Sequence, residues 1–120
     1  SLGLVGSEMC IRDRDYSEGS IVFSGDTKPC KALVDLSVNA DVLVMECIRL
    51  ESEMKGNATS LSETSALQAG KMAEEANVKL LVLTHQAHYL DSVKDDVLKE
   101  VKMNYKGKLI WADELMTVNF

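Results

Sequence analysis

The apolar run Leu80-Leu81-Val82-Leu83 constrains the fold of this chain more than any other stretch. A strand carries apolar side chains at consecutive positions when both faces of its sheet are covered, which is typical of parallel strands in α/β proteins. Residues 21–24 and 41–47 form two similar β-rich runs earlier in the chain, and the stretches between the runs have helical spacing. Strands that alternate with helices in this way predict an α/β fold.

Three helices and two further strands are predicted around these runs. A short helix ends near Asn39, and a longer one begins between Ser60 and Ser62 and is closed by Asn77, since asparagine tolerates the left-handed backbone of a helix end. The third helix precedes a strand over residues 109–112 and a last edge strand over residues 116–120. Its apolar face consists of Val93, Val97, Leu98, Val101 and Tyr105.

Three polar residues stand at the carboxyl ends of predicted strands, namely Asp26, Glu46 and His85. In α/β sheets the functional groups collect beyond these strand ends. A carboxylate and an imidazole on one edge are suitable ligands for zinc, manganese or iron. A single Asp can also cap a loop, and a single His can be a hydrogen-bonded structural residue, so the residues alone leave both interpretations open.

Composition narrows the classes of partner. The 120 residues suit one domain, and the net charge of −6 offers no general attraction to nucleic-acid phosphates or anionic membranes. Any nucleic-acid contact therefore has to be local. No apolar run approaches the roughly 20 residues that span a bilayer. The three cysteines have neither disulfide-framework nor zinc-motif spacing, which predicts a reducing compartment such as the cytoplasm.

Three segments together resemble the metallo-β-lactamase superfamily. They are Ser24-Gly25-Asp26-Thr27-Lys28-Pro29, then Ala40-Asp41-Val42-Leu43-Val44-Met45-Glu46, and then the stretch that ends in Leu83-Thr84-His85. Their order and spacing are most similar to the ribonuclease Z and phosphodiesterase group. The resemblance implies that the chain is the C-terminal half of a metallo-β-lactamase fold, an αββα sandwich.

The same resemblance implies a site and a reaction. Asp26 would bridge two divalent transition-metal ions, and His85 would bind one of them. The ions implied are Zn²⁺ first, with Mn²⁺ or Fe²⁺ as alternatives, and they would activate water to hydrolyse a phosphodiester or a related ester. The implied substrate is a small-molecule or nucleic-acid ester, and the full-length parent protein could form a homo-oligomer. Membrane binding is not expected.

Departures from the family pattern suggest a second hypothesis. The family's His-x-His-x-Asp-His motif does not precede Asp26, so we expect this chain alone to bind metal weakly and to be inactive. Met45 stands where the ribonuclease Z group has a proton-transferring His, and methionine cannot transfer a proton. Glu63 and Ser65 stand where the family has His-x-Thr; we favour Glu63 as a capping-box partner of Ser60 over a substitute for that His. The alternative is a non-catalytic interaction protein that retains the fold.

The first residues are expected to be foreign to the domain. Residues 4–13 resemble the one-frame translation of a transposase sequencing adapter, whose codons read Met-Cys-Ile-Arg-Asp as in Met9 to Asp13. We therefore expect residues 1–14 to be a non-native, disordered segment and residues 15–120 to be the C-terminal part of the domain. A flexible native N-terminus is the alternative.

Four other residues receive structural interpretations. His88 is expected to be an exposed loop residue, and Asp113 a turn residue. Trp111 and Tyr89 could line a cleft, although we favour packing for both.

Overall fold

The chain alternates strands with helices in the computed structural model, which describes residues 12–16, 19–25, 28–46, 49–54, 64–84, 88–113 and 115–120. The strands are β1 (Arg12–Tyr16), β2 (Gly19–Phe23), β3 (Val42–Glu46), β4 (Leu80–Thr84) and β5 (Lys108–Trp111). The α-helices are α1 (Lys31–Ser37), α2 (Ala66–Glu75) and α3 (Lys94–Lys102). Short 3₁₀ helices span Glu51–Glu53 and His88–Val93.

The strands form one sheet in the order β1-β2-β3-β4-β5. β1 is antiparallel to β2, and every later pair is parallel, as the helical crossovers between the strands require. The parallel register pairs Phe23 with Val44, and Glu46 with Thr84. The carboxyl ends of β2, β3 and β4 therefore lie side by side.

The two faces of the sheet have different cover. Leu43, Met45, Leu81 and Leu83 face a core that includes residues of all three α-helices. The alternate positions Val42, Leu80 and Val82 form a second cluster, against which Val118 from the C-terminal segment packs. The four apolar residues of β4 are all buried, which confirms the prediction from their unbroken run.

The helix ends agree with the sequence in part. Asn39 and Asn77 have positive φ angles of 58° and 56°, as predicted for residues that end α1 and α2. The predicted start of α2 is wrong, because the helix begins at Ala66 and its capping box joins Ser65 to Gln68. The Ser65 hydroxyl, immediately before the first helical turn, accepts a hydrogen bond from the Gln68 N–H, whereas Ser60 and Glu63, the predicted pair, lie outside the described residues.

The two ends of the chain also differ from expectation. Arg12, Asp13 and Arg14 belong to the segment expected to be disordered, yet their backbone pairs with β2. Ladder hydrogen bonds come from the backbone of any sequence, so the origin of residues 1–14 stays a prediction. Residues 115–120 form no strand, contrary to the prediction of a last edge strand, although Val118 covers the second face of the sheet.

No helix in the described part of the chain is long and apolar enough to cross a membrane. The length and polarity of α1, α2 and α3 are those of helices packed on a sheet.

Close contact between α2 and α3 depends on Gly70. A Cβ atom at this position would lie 2.4 Å from the carbonyl oxygen of Val101 and 3.1 Å from its Cα atom. Because the obstructing atoms belong to the backbone, a side chain cannot be accommodated by a change of rotamer. The glycine therefore sets the distance between these two helices.

We expect Gly70→Ala to lower the free energy of unfolding of the full-length protein by about 1–3 kcal/mol, because it forces α3 away from α2. In an ordinary helix the same change stabilises by about 1 kcal/mol, so the sign of the effect is diagnostic. Denaturant titration measures it. Lys71→Ala, on the exposed side of α2, is the control and should change the stability little. A stabilised Gly70→Ala protein would contradict the close packing.

Tyr105 links the end of α3 to the start of β4. Its hydroxyl donates a hydrogen bond of 3.1 Å to the Val78 carbonyl, and the residue is 3% exposed. Burial, with the nearby Glu74 carboxylate as a second cause, raises the pKa of Tyr105 to about 12. The neutral phenol is therefore favoured in the folded state.

Since the folded pKa lies above the unfolded value of about 10, this contribution to stability is complete below pH 10 and is lost as the pH rises toward 12. Unfolding measured at several pH values in this window should show a steeper loss of stability for the wild type than for Tyr105→Phe, by up to about 1.4 kcal/mol per pH unit. Equal slopes for the two proteins would refute the assignment.

Candidate functional site

The carboxyl edge of the sheet gathers the residues that lead into both predicted metal ligands. β2 is followed by Ser24 and Gly25 and then by Asp26 in the sequence, and β4 ends at Thr84, directly before His85. One strand, β3, separates β2 from β4. Neighbouring strands are roughly 4.8 Å apart, so the two strand ends are separated by roughly 10 Å.

Asp26 and His85 themselves lie outside the described residues. Among the residues that the structure does describe, no group of three or more His, Cys, Asp or Glu side chains could hold a metal ion. A carboxylate with an imidazole is a donor set that zinc and similar ions accept. The described residues that lead into these two ligands lie on one edge, and the metal site itself stays a prediction.

A buried hydroxyl fixes the turn that leads to Asp26. Ser24 is completely buried, and its Oγ accepts a hydrogen bond of 3.3 Å from the Glu46 backbone N–H. The same hydroxyl donates to the Gly25 carbonyl oxygen at 2.9 Å. Gly25 has a φ of 61°, a conformation that glycine adopts without steric cost. One side chain thus joins the end of β3 to the turn after β2.

Glu46 is the buried carboxylate of this edge. The residue is 2% exposed, and it pairs with Thr84 in the register of β3 and β4. Because a carboxylate is rarely buried without a role in hydrogen bonding or ligand orientation, its position between Ser24 and Thr84 supports the interpretation that it orders the surrounding loops. Its neighbour Met45 is completely buried in the core on the helix side of the sheet.

A second polar cluster anchors the start of α2 near the same edge. The Glu100 carboxylate of α3 accepts hydrogen bonds from the backbone N–H groups of Glu51 and Leu67, at 3.0 and 3.1 Å. The Ser65 hydroxyl contacts the Glu51 carboxylate. This cluster fixes the described residues on either side of residues 55–63. Glu63, the proposed substitute or cap, lies outside the described residues.

The opposite edge of the sheet carries an ion pair. Asp41 accepts hydrogen bonds from Lys79 Nζ at 2.8 Å and from the Ser20 backbone N–H at 2.9 Å. The Lys79 hydrogen bond, followed by that from Ser20, lowers the pKa of the Asp41 carboxyl below its usual value. These contacts connect the amino ends of β2, β3 and β4. They are structural contacts on the edge away from the predicted metal ligands.

The remaining candidates are placed as follows. Trp111 is 8% exposed and belongs to the core, which confirms the packing interpretation. The Asp113 carbonyl accepts a hydrogen bond from the Met116 N–H, as expected of a turn. His88 and Tyr89 begin the 3₁₀ helix His88–Val93, whereas a loop was expected; their side chains lie outside the described residues.

Known proteins of similar sequence match most of this chain. The chain is 32% identical over 98 residues to the ribonuclease Z of Archaeoglobus fulgidus, covering 82% of this chain and 31% of the relative. It is 35% identical over 98 residues to the ribonuclease Z of Myxococcus xanthus, covering 82% and 32%. The chain thus spans about a third of the length of these relatives. No family model matches the chain.

Solved structures extend the comparison to the fold. The metallo-β-lactamase fold protein YhfI from Bacillus subtilis superimposes with a TM-score of 0.69 at 30% identity, covering 79% of this chain and 37% of YhfI. The short form of human tRNase Z superimposes with a TM-score of 0.61 at 20% identity, covering 84% and 33%. This chain has the fold of one part of a metallo-β-lactamase-fold protein. The similarity predicted from the three sequence segments is thereby confirmed.

The sequence indicates where the strands end, but it does not indicate that the Ser24 hydroxyl connects the end of β3 to the turn after β2. Ser24 appeared in the sequence only as part of the Ser-Gly-Asp-Thr turn. A signal was present, since a small hydroxyl residue directly before a glycine at a strand end often bonds to the local backbone. Its second partner, the Glu46 N–H, is 22 residues away and depends on the register of the sheet.

We expect Ser24→Ala to weaken metal binding by the full-length protein about 10- to 100-fold, as is typical when a group that orients a ligand is removed. Competition with a chromophoric chelator measures the affinity. Ser20→Ala is a matched control on the same strand, because the Ser20 hydroxyl accepts a hydrogen bond from the Asp41 N–H at the opposite edge. Unchanged affinity in Ser24→Ala would show that the turn is held by other contacts.

Proposed function

We propose that this chain supplies part of the dinuclear metal site of a hydrolase that cleaves a phosphodiester or a related ester, in the manner of ribonuclease Z. Asp26 would bridge two divalent transition-metal ions and His85 would bind one of them. The observation that carries the proposal is the parallel register that brings the ends of β2 and β4 to one edge, one strand apart. The ribonuclease Z relatives support the reaction class.

The roles of the chain's own residues follow from this edge. The Asp26 carboxylate has two oxygens and would therefore serve as a ligand to both cations. The imidazole of His85 would offer one nitrogen ligand, and the Ser24 hydroxyl, bonded to the Glu46 N–H and the Gly25 carbonyl, holds the turn that leads to Asp26. When bound, the ions lower the pKa of water and neutralise charge on the substrate oxygens.

A non-catalytic interaction protein that retains the fold stays the alternative. It rested on Met45, interpreted as the replacement for a proton-transferring group, together with Glu63. Met45 is completely buried on the helix side of the sheet, whereas the next residue along the strand points to the opposite face. Met45 packs against the helices and offers no group that could transfer a proton at this position. Glu63 lies outside the described residues and leaves that part of the hypothesis a prediction.

Substitution of the two ligands tests the proposal in the full-length protein. Asp26→Asn and His85→Ala should each lower the bound metal per chain and reduce the hydrolysis of bis-para-nitrophenyl phosphate at least about a hundredfold, because each removes a metal ligand. Metal content after dialysis and initial rates with added Zn²⁺ or Mn²⁺ are the measurements.

Asp113→Asn is the matched control, since Asp113 is an exposed residue of a turn after β5. It should retain both metal and rate. If wild-type protein hydrolyses neither this diester nor RNA in the presence of metal, the phosphodiesterase assignment is wrong; hydrolysis of a lactone alone would redirect it to another ester class. Full metal content in both ligand variants would remove Asp26 and His85 from the site.

A further inference from the structure

A fixed lysine stands on the carboxyl edge beside the strand that leads to His85. The Lys94 ammonium lies 5.5 Å from the centroid of the Trp111 ring. Trp111 is the last residue of β5 and pairs with Leu83, two residues before His85 in the sequence. Lys94 is the first residue of α3. The cation is therefore held at the same edge as the proposed metal site.

The contact with the ring fixes the position of the cation without neutralising it. Lys31 and Lys79 each pair with a carboxylate, at 2.7 and 2.8 Å. Lys94, in contrast, contacts the face of a nearly buried aromatic ring, which attracts the ammonium through its quadrupole. An ammonium held in this way keeps its positive charge and its N–H donors for an anion. Its side chain also loses less conformational entropy when an anion binds.

Lys94 is a positive charge in a part of the chain that is rich in carboxylates. Asp91, Asp95 and Asp96 are exposed on the same helical stretch, and Asp113 follows β5. The whole chain carries a net charge of −6, so its general field repels a polyanion. A phosphate that approaches this part of the edge requires a local counter-charge. Lys94 supplies one next to the strand that leads to the proposed metal ligand.

We propose that Lys94, held on the face of Trp111, binds a backbone phosphate of a single-stranded nucleic-acid substrate next to the phosphodiester that is cleaved. The inference rests on the proposed function and narrows its substrate class from esters in general to a strand with more than one phosphate. Trp111 is the platform for the lysine and does not stack on a base, because its ring is 8% exposed. The proposed contact of Lys94 with a phosphate would not depend on the base sequence of the substrate.

Binding of a 12-nucleotide single-stranded RNA to the full-length protein in EDTA tests the phosphate contact without cleavage. Lys94→Gln should weaken binding about two- to fivefold at low salt, as expected for one exposed charge contact. It should also make the slope of the logarithm of affinity against the logarithm of salt concentration shallower by about 0.7, the value for one phosphate of a single strand. Lys94→Arg should keep both properties, because arginine retains the charge and the ring contact.

Lys99→Gln is the charge-matched control, on an exposed position of the same helix. Losses of equal size in Lys94→Gln and Lys99→Gln would indicate a general charge effect and overturn the proposal, as would an unchanged slope in Lys94→Gln. Circular dichroism and the melting temperature of each variant verify that it is folded; if Lys94→Gln is destabilised, Lys94→Met, which keeps the aliphatic stem, must reproduce the shallower slope.

Hydrolysis of bis-para-nitrophenyl phosphate separates this inference from the proposed function. This small diester has no flanking phosphate, so Lys94→Gln should lose more of its activity on RNA than on this diester, whereas Lys99→Gln should keep the wild-type ratio of the two rates. If the wild type does not hydrolyse it or RNA, the proposed function fails whatever the RNA affinity. If the wild type is active and Lys94→Gln binds RNA as the wild type does, only the phosphate contact fails.

Discussion

Parallel pairing of β2, β3 and β4 is the constraint on which the rest of this structure depends. Each strand is joined to the next by a helix on one face, so all three strands end at the same edge. The backbone ladder fixes which residues are neighbours there, and it brings the turn after β2 and the end of β4 to either side of Glu46. A slip of one residue would turn every side chain of a strand to the other face and separate these groups.

The packing of α2 against α3 supports the sheet from one face. α2 approaches α3 at Gly70, and the carboxylate of Glu100 then reaches the backbone of Glu51 and Leu67. A bulkier residue in place of the glycine would lengthen these hydrogen bonds as well as disturb the core. Backbone N–H groups at the start of a helix have no partner within the helix, so a carboxylate from α3 satisfies groups that would otherwise be exposed or buried without a bond.

Several features of the fold could be predicted from local sequence. The unbroken apolar run of β4 required cover on both faces, and Asn77 required a left-handed helix end; neither depends on distant residues. The start of α2 could not be predicted as well, because Ser60, Ser62 and Ser65 are all acceptable caps. Burial of Ser65 beside Glu51 is a tertiary contact that decides between them. The sequence at 116–120 has the alternating pattern of a strand, but Val118 packs on the face of the sheet and these residues do not pair along its edge in the described part of the chain.

The residues of the candidate site also differ in whether the local sequence indicates them. Asp26, Glu46 and His85 could be selected because a polar residue that follows an apolar strand is visible in a single sequence. Ser24 and Lys94 could not, because their partners Glu46 and Trp111 are distant in sequence and meet them through the sheet.

The two edges of the sheet also differ in what their charges can do. At the amino edge Asp41 and Lys79 form an ion pair, whereas at the carboxyl edge the Lys94 ammonium lies over the Trp111 ring. A cation over an aromatic ring keeps its N–H donors for a ligand, and an ion pair contributes mainly to the fold. This difference favours the carboxyl edge as the functional one, independently of any relative.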